Sequence, residues 1–84
     1  MYRVLIENKV KREIKRLPEE TLRRIISSIE ELKVNPRPIG VKKLIEKDGW
    51  RIRVSKYRIL YTIDDKNKTV TIYKIKHRRE VYSD

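Results

Sequence analysis

Three arginines stand close together in the stretch GWRIRVSKYRILY, residues 49–61: Arg51, Arg53 and Arg58. Guanidinium forks match phosphate oxygens in pairs, and they keep their charge at any physiological pH. The sequence offers little else for chemistry. With one histidine, no cysteine and carboxylates that lack ligand spacing, neither a metal site nor a cofactor is expected. There is no glycine-rich phosphate loop. Ser27 and Ser28 fall in a helical pattern, Ser55 in a turn and Ser83 at the end, none of them on a nucleophile elbow. What the residues permit is phosphodiester chemistry driven by cations. In RNA the 2′-OH attacks the adjacent phosphorus through a dianionic, five-coordinate arrangement and expels the 5′-oxygen. A protein assists by holding the two oxygens in line and stabilising the growing charge. His77, Tyr82 and the lysines are the available acids and bases.

The arginines need an element that aligns them, and alternation supplies one. Trp50, Ile52 and Val54 alternate with Arg51 and Arg53; Tyr57, Ile59, Tyr61 and Ile63 alternate with Arg58, Leu60 and Thr62. If Ser55-Lys56 is a two-residue turn, Val54 faces Tyr57, Ile52 faces Ile59 and Trp50 faces Tyr61. That makes one apolar face. On the other, Arg53 lies directly across from Arg58, with Arg51 two residues along. Like charges opposite one another destabilise a ladder. A solvated outer face accounts for one arginine; three on one face, in a chain this basic, favour a bound polyanion.

The net charge is +11 over 84 residues, with 42% charged. Residues 1–41 carry a net +4 and residues 42–84 a net +7, so the surplus sits mainly with the hairpin. Nucleic acid or an acidic protein is the natural partner. The length predicts a single domain, residues 1–84, with one modest core. No apolar run approaches the roughly 18 residues of a membrane span. The N-terminus has a strand pattern instead of a signal peptide, so a cytoplasmic protein with no membrane partner is expected.

Before the hairpin, Tyr2–Glu7 alternates as a short strand, and Asn8 suits an N-cap. Val10, Ile14 and Leu17 mark one face of a short helix. Pro18 opens a second, about Glu19 to Val34, with Leu22, Ile25, Ile26, Ile29 and Leu32 as its apolar stripe. Asn35-Pro36 ends it. Residues 35–48 read as a loop with a short extended piece around Val41–Ile45 and with Leu44-Ile45 tucked against the core. After a turn in which Asn67 suits a left-handed position, Thr69–His77 forms the last strand. A three-residue loop, Lys66-Asn67-Lys68, would put Thr71, Tyr73 and Ile75 on the core face. Lys74 and Lys76 would then fall beside the arginines, with Lys76 opposite Arg58, and Val70 and Ile72 would lie on the arginine face. A one-residue slip would reverse this. The expected fold is α+β: an antiparallel-rich sheet of about four strands with an N-terminal helical hairpin on its Trp50 face.

GWRIRVSKYRILYTI followed by IKHRREVY resembles the RelE/ParE superfamily of bacterial and archaeal toxins, RelE most closely. The pattern spans nearly the whole chain: strand, helical hairpin, Asn-Pro loop, a Leu before Gly-Trp-Arg, the Tyr-Arg strand and the His-Arg-Arg-x-Val-Tyr tail. The resemblance implies a RelE-like fold and a metal-independent toxin that cleaves mRNA in the ribosomal decoding site. It also implies a cognate RelB-like antitoxin. By motif it assigns catalytic roles to Arg51, Arg53, Arg58, Arg78 and Tyr82. Lys74, Lys76, His77 and Arg79 become RNA-binding candidates, Arg79 being a rival of Arg78 for the tail position. Where some relatives have lysines this chain has Arg51 and Arg53. Arginine holds its proton too tightly to be a general base, so the base role passes to Tyr82 or His77 or is weak. The ParE branch shares the fold but poisons DNA gyrase. A plain RNA-binding module is the third possibility, although Trp50, Tyr57 and Tyr61 point inward and leave no stacking platform.

Overall fold

The computed structural model describes residues 1–45 and 48–77. In chain order it contains β1 (Arg3–Ile6), α1 (Asn8–Lys15), α2 (Glu19–Val34), β2 (Lys42–Lys43), β3 (Trp50–Val54), β4 (Tyr57–Asp64) and β5 (Thr69–His77). They build a five-stranded sheet in the order β1-β5-β4-β3-β2. Every pairing is antiparallel except β1 with β5. The strand beyond the expected four is β2, an edge of two exposed lysines, at the extended piece foreseen around Val41–Ile45.

Both helices cover the face that carries Trp50. Val10 and Ile14 of α1 and Ile25, Ile29 and Leu32 of α2 pack with Ile52, Val54, Ile59, Tyr61, Val70, Ile72 and Ile75 of the sheet. Ile26 was expected in this stripe but is 48% exposed, because the sheet takes the i, i+4, i+7 line of Ile25, Ile29 and Leu32. Helix α1 starts one residue early. Glu7, not Asn8, is its N-cap: the Glu7 N–H still donates to Ile72 O in the sheet while its carbonyl accepts from Val10 and Lys11. Pro18 caps α2, its carbonyl accepting from Leu22 N–H at 2.9 Å.

The β3–β4 register is the one the alternation requires, with Trp50↔Tyr61, Ile52↔Ile59, Arg53↔Arg58 and Val54↔Tyr57. Ser55 makes the turn at φ 56°, a conformation that usually falls to glycine. On β5 the expectation holds for one half only. Arg58↔Lys76, Ile59↔Ile75 and Leu60↔Lys74 pair as foreseen, but a bulge follows between Leu60 and Tyr61. Beyond it Tyr61 pairs with Ile72, Thr62 with Thr71 and Asp64 with Thr69. Val70 and Ile72 therefore enter the core, both fully buried, and Thr71 and Tyr73 leave it. The turn is one residue longer than foreseen, and the bulge absorbs the difference. In that turn Lys68, not Asn67, is left-handed, at φ 52°. Asn67 instead binds the Asp64 carboxylate through its backbone N–H and side-chain amide, at 3.0 and 2.8 Å.

Candidate active site

Strand alternation and one loop bond fix the site. Leu44 N–H donates to Gly49 O, which sets the phase of the β2–β3 ladder. Arg51 then directs its main-chain groups toward β2. On the β4 side Arg51↔Leu60 and Arg53↔Arg58 are the non-hydrogen-bonded pairs, in which Cα atoms approach to about 4.5 Å and side chains lie closer. Two rows of cations result on the face opposite the helices. One runs Arg53, Arg58, Lys76 across β3, β4 and β5; the next runs Lys42, Arg51, Leu60, Lys74 across four strands.

Lys42, Arg51, Arg53 and Arg58 surround a groove of about 250 Å³, together with Gly40 and Ile52. Among the described residues no carboxylate lines it. Arg58 is half-buried with its Nε fully covered, so its fork is held more firmly than the exposed Arg53. Lys42 was not foreseen. A two-residue strand carries no period, and only its pairing with Arg51 brings it to this face.

His77 does not join the rows. It pairs with Tyr57, on the helix-facing side, and their rings meet edge to face at 5.1 Å between centroids. Lys76 is half-buried beside Arg58, and Lys74 is exposed. Arg78, Arg79 and Tyr82 lie outside the described residues.

Beside the cations sits a small apolar lid. Leu44 and Leu60 are 5% and 3% exposed, yet neither belongs to the main core. Gly49 leaves the room that Leu44 occupies. Its φ is 155°, and a Cβ there would meet Leu44 Cδ1 at 3.1 Å, Tyr61 O at 3.2 Å and Tyr73 Oη at 3.2 Å. Of the expected Leu44-Ile45 pair, Leu44 tucks in and Ile45 stays 87% exposed.

The loop that delivers Gly40 is braced at the other end of the sheet. Arg37 forks onto Asp65 at 2.9 and 3.2 Å, and Tyr2 Oη donates to the same carboxylate at 2.6 Å. These bonds, Arg37's first and Tyr2's next, hold the Asp65 carboxyl down to about 2. Tyr2 moves the opposite way, its phenol raised chiefly by the bond to Asp65. Tyr61 Oη donates to Pro36 O at 2.7 Å, and burial raises its phenol far above the ordinary value. The Trp50 ring completes the brace, with Arg37 5.0 Å and Lys43 4.9 Å from its centroid.

Residues 4–82 match the family described as the ParE toxin of the type II toxin-antitoxin system parDE. The chain belongs to the RelE/ParE toxin superfamily. Among RelE-type relatives, the RelE1 protein of Methanocaldococcus jannaschii is 32% identical, over 96% of this chain and 94% of its own length. Toxin RelG of Mycobacterium tuberculosis is 30% identical, over 96% of this chain and 95% of its own. The RelE fold is equally plain in three dimensions. The archaeal RelE-RelB complex of Pyrococcus horikoshii contains a chain that superposes with a TM-score of 0.86 at 31% identity, covering 95% of this chain and 98% of that one.

Proposed function

We propose that this RelE-type toxin is a metal-independent endoribonuclease that cuts mRNA in the ribosomal A site and so stops translation. The observation that carries this reading is the groove ringed by Lys42, Arg51, Arg53 and Arg58, without a carboxylate among the described residues, and with Lys76 alongside. The scissile phosphate lies against Arg58, which is half-buried between Arg53 and Lys76. As the 2′-oxygen attacks and the 5′-oxygen departs, negative charge grows on the phosphoryl oxygens. Arg51 and Arg53 meet that charge across a short gap, and Lys42 and Lys76 neutralise the neighbouring backbone. Permanent cations suit this role and cannot serve as the base. Tyr82 is the proposed proton acceptor and Arg78, or its neighbour Arg79, an additional phosphate ligand. His77 is placed to support the end of β5 through Tyr57, leaving Lys74 and Lys76 as the RNA-binding cations of that strand.

The protein acts in the cytoplasm with its ribosomes. Among the described residues, no helix is long and apolar enough to cross a membrane. Several similar structures are complexes with RelB. A RelB-like antitoxin with an acidic, amphipathic segment is proposed as the partner here, covering the arginine rows or displacing the tail. Cut-site mapping on mRNA translated by programmed ribosomes tests the reading: cleavage within the A-site codon is expected. Intact mRNA together with inhibited gyrase supercoiling would favour a ParE-type activity instead.

A further inference from the structure

The outer edge of β3 is open over one residue. Strand β2 covers only Trp50 and Arg51, through Lys43 and Lys42. The phase set by the Leu44–Gly49 bond turns the N–H and C=O of Arg51 toward β2, so those of Arg53, two residues on, point the same way past its end. No hydrogen bond to either group is found among the described residues. Both face the place where two hollows meet. The cationic groove of about 250 Å³ and a second hollow of about 200 Å³ share Gly40, Ile52 and Arg53 as walls. The second runs under the edge toward α2, lined by Ser28, Glu31 and the fully exposed Ile39.

We propose that this second hollow seats one unpaired nucleobase flanking the scissile phosphate, with the main chain of Arg53 as its hydrogen-bond partner. The inference rests on the nuclease reading for the phosphate next door. The charge changes sign along the combined groove. A phosphate belongs at the cationic mouth, and Glu31 repels one from the inner end. A base is flat, uncharged and amphipathic, and Ile39 offers it apolar surface. The opening is also the wrong size for a protein strand. A pairing strand needs several consecutive edge residues, whereas only Arg53 is available before the Ser55 turn. The Watson–Crick edge of a base places a donor beside an acceptor, as one residue's C=O and N–H require. All four bases have such a pair, so this contact selects for a base without selecting which one.

Two amide-resolved NMR titrations of the full chain test it. One probe is a short oligouridylate methylated at every 2′-oxygen, which cannot be cleaved; the other is the same methylated sugar-phosphate chain with every position abasic. The base-bearing probe should shift the Arg53 and Gly40 amides and slow hydrogen exchange at Arg53 by about tenfold. The abasic probe should shift Lys42, Arg53 and Arg58 through its phosphates while leaving hydrogen exchange at the Arg53 amide unchanged. Ser28→Tyr, which fills the hollow, should weaken the first probe by about tenfold and leave the second unchanged. Equal slowing of exchange at Arg53 by both probes, or no slowing there with the base-bearing probe, would overturn the proposal. If the Arg53 amide responds to the base while programmed ribosomes yield no cut mRNA, the nuclease reading fails and the base site stands.

Discussion

Arg37 and Arg53 lie toward opposite ends of β3 and are handled in opposite ways. The Arg37 guanidinium forks onto Asp65 and lies 5.0 Å from the Trp50 ring centroid. Arg53 is exposed, stands across from a second arginine, and has no carboxylate partner among the described residues. Pairing on one side and crowding on the other show which cations serve the fold. Arg37 ties the loop after α2 to the β4–β5 turn. Arg53 and its neighbours repel one another, and among the described residues no carboxylate pairs with Arg51 or Arg53. An external polyanion is the proposed counter-charge.

If that division is right, removing a cation from each end gives opposite results. Arg58→Ala should lower single-turnover cleavage on programmed ribosomes by about a hundredfold or more, since the lost donor acts on charge that grows in the transition state. Binding should fall far less, and the melting temperature should hold or rise as a like-charge pair is relieved. Arg58→Lys should recover only part of the rate, because one ammonium cannot reproduce the fork. Equal losses in binding and cleavage would make Arg58 a docking residue.

Salt separates the two ends without mutation. If about five phosphates of a single strand are neutralised, a fourfold rise in salt should weaken RNA or ribosome binding on the order of a hundredfold. Thermal stability should change little over the same range. A flat binding response would count against the arginine rows as an RNA surface.

Gly49 tests the lid between the two ends. Gly49→Ala combines an unfavourable φ of 155° with three close contacts. A loss of about 1–3 kcal/mol in denaturant-derived stability is expected. An unchanged midpoint would mean that Leu44 and Tyr73 can move aside.

The smallest effect is at the braced corner. The folded Asp65 carboxyl is held below its unfolded value of about 3.9. Its contribution is therefore present above pH 4 and is lost as pH falls through about 2. Asp65→Asn should lose this contribution at neutral pH, a small loss because the pair is exposed and screened, and flatten the acid limb of the stability profile by the same amount. Cleavage at neutral pH should be unaffected. An acid limb identical to the original would remove the Arg37–Asp65 pair from the account.

The hairpin was the most legible part of the sequence. A two-residue turn leaves one register, and burial of Ile52, Val54 and Ile59 admits no slip. The Glu19–Val34 helix was equally clear from its stripe and its proline. The distal half of β5 was misread because Thr-Val-Thr-Ile-Tyr alternates equally well in either phase, and nothing local announces a bulge at Tyr73. The site end escaped that error, since the Arg58↔Lys76 pairing lies beyond the bulge. Lys42 and the open edge at Arg53 were invisible for a different reason. Both depend on where a two-residue strand stops, and no periodic pattern encodes that.

The parallel pairing of β1 with β5 bears on synthesis. Among the described residues, the first strand has β5 as its one sheet neighbour, Arg3 beside Thr69 and Ile6 beside Ile72. Val70 and Ile72, fully buried, also come from that last strand. While the chain emerges from the ribosome, the helices and the β3–β4 hairpin lack the element that closes their shared core. The arginine rows acquire a rigid backing only when β5 arrives, since Lys76 and the support behind Arg58 come with it. A nascent chain thus lacks the finished arginine face until β5 has been made, and the long loop that must then close makes this a slow, late step.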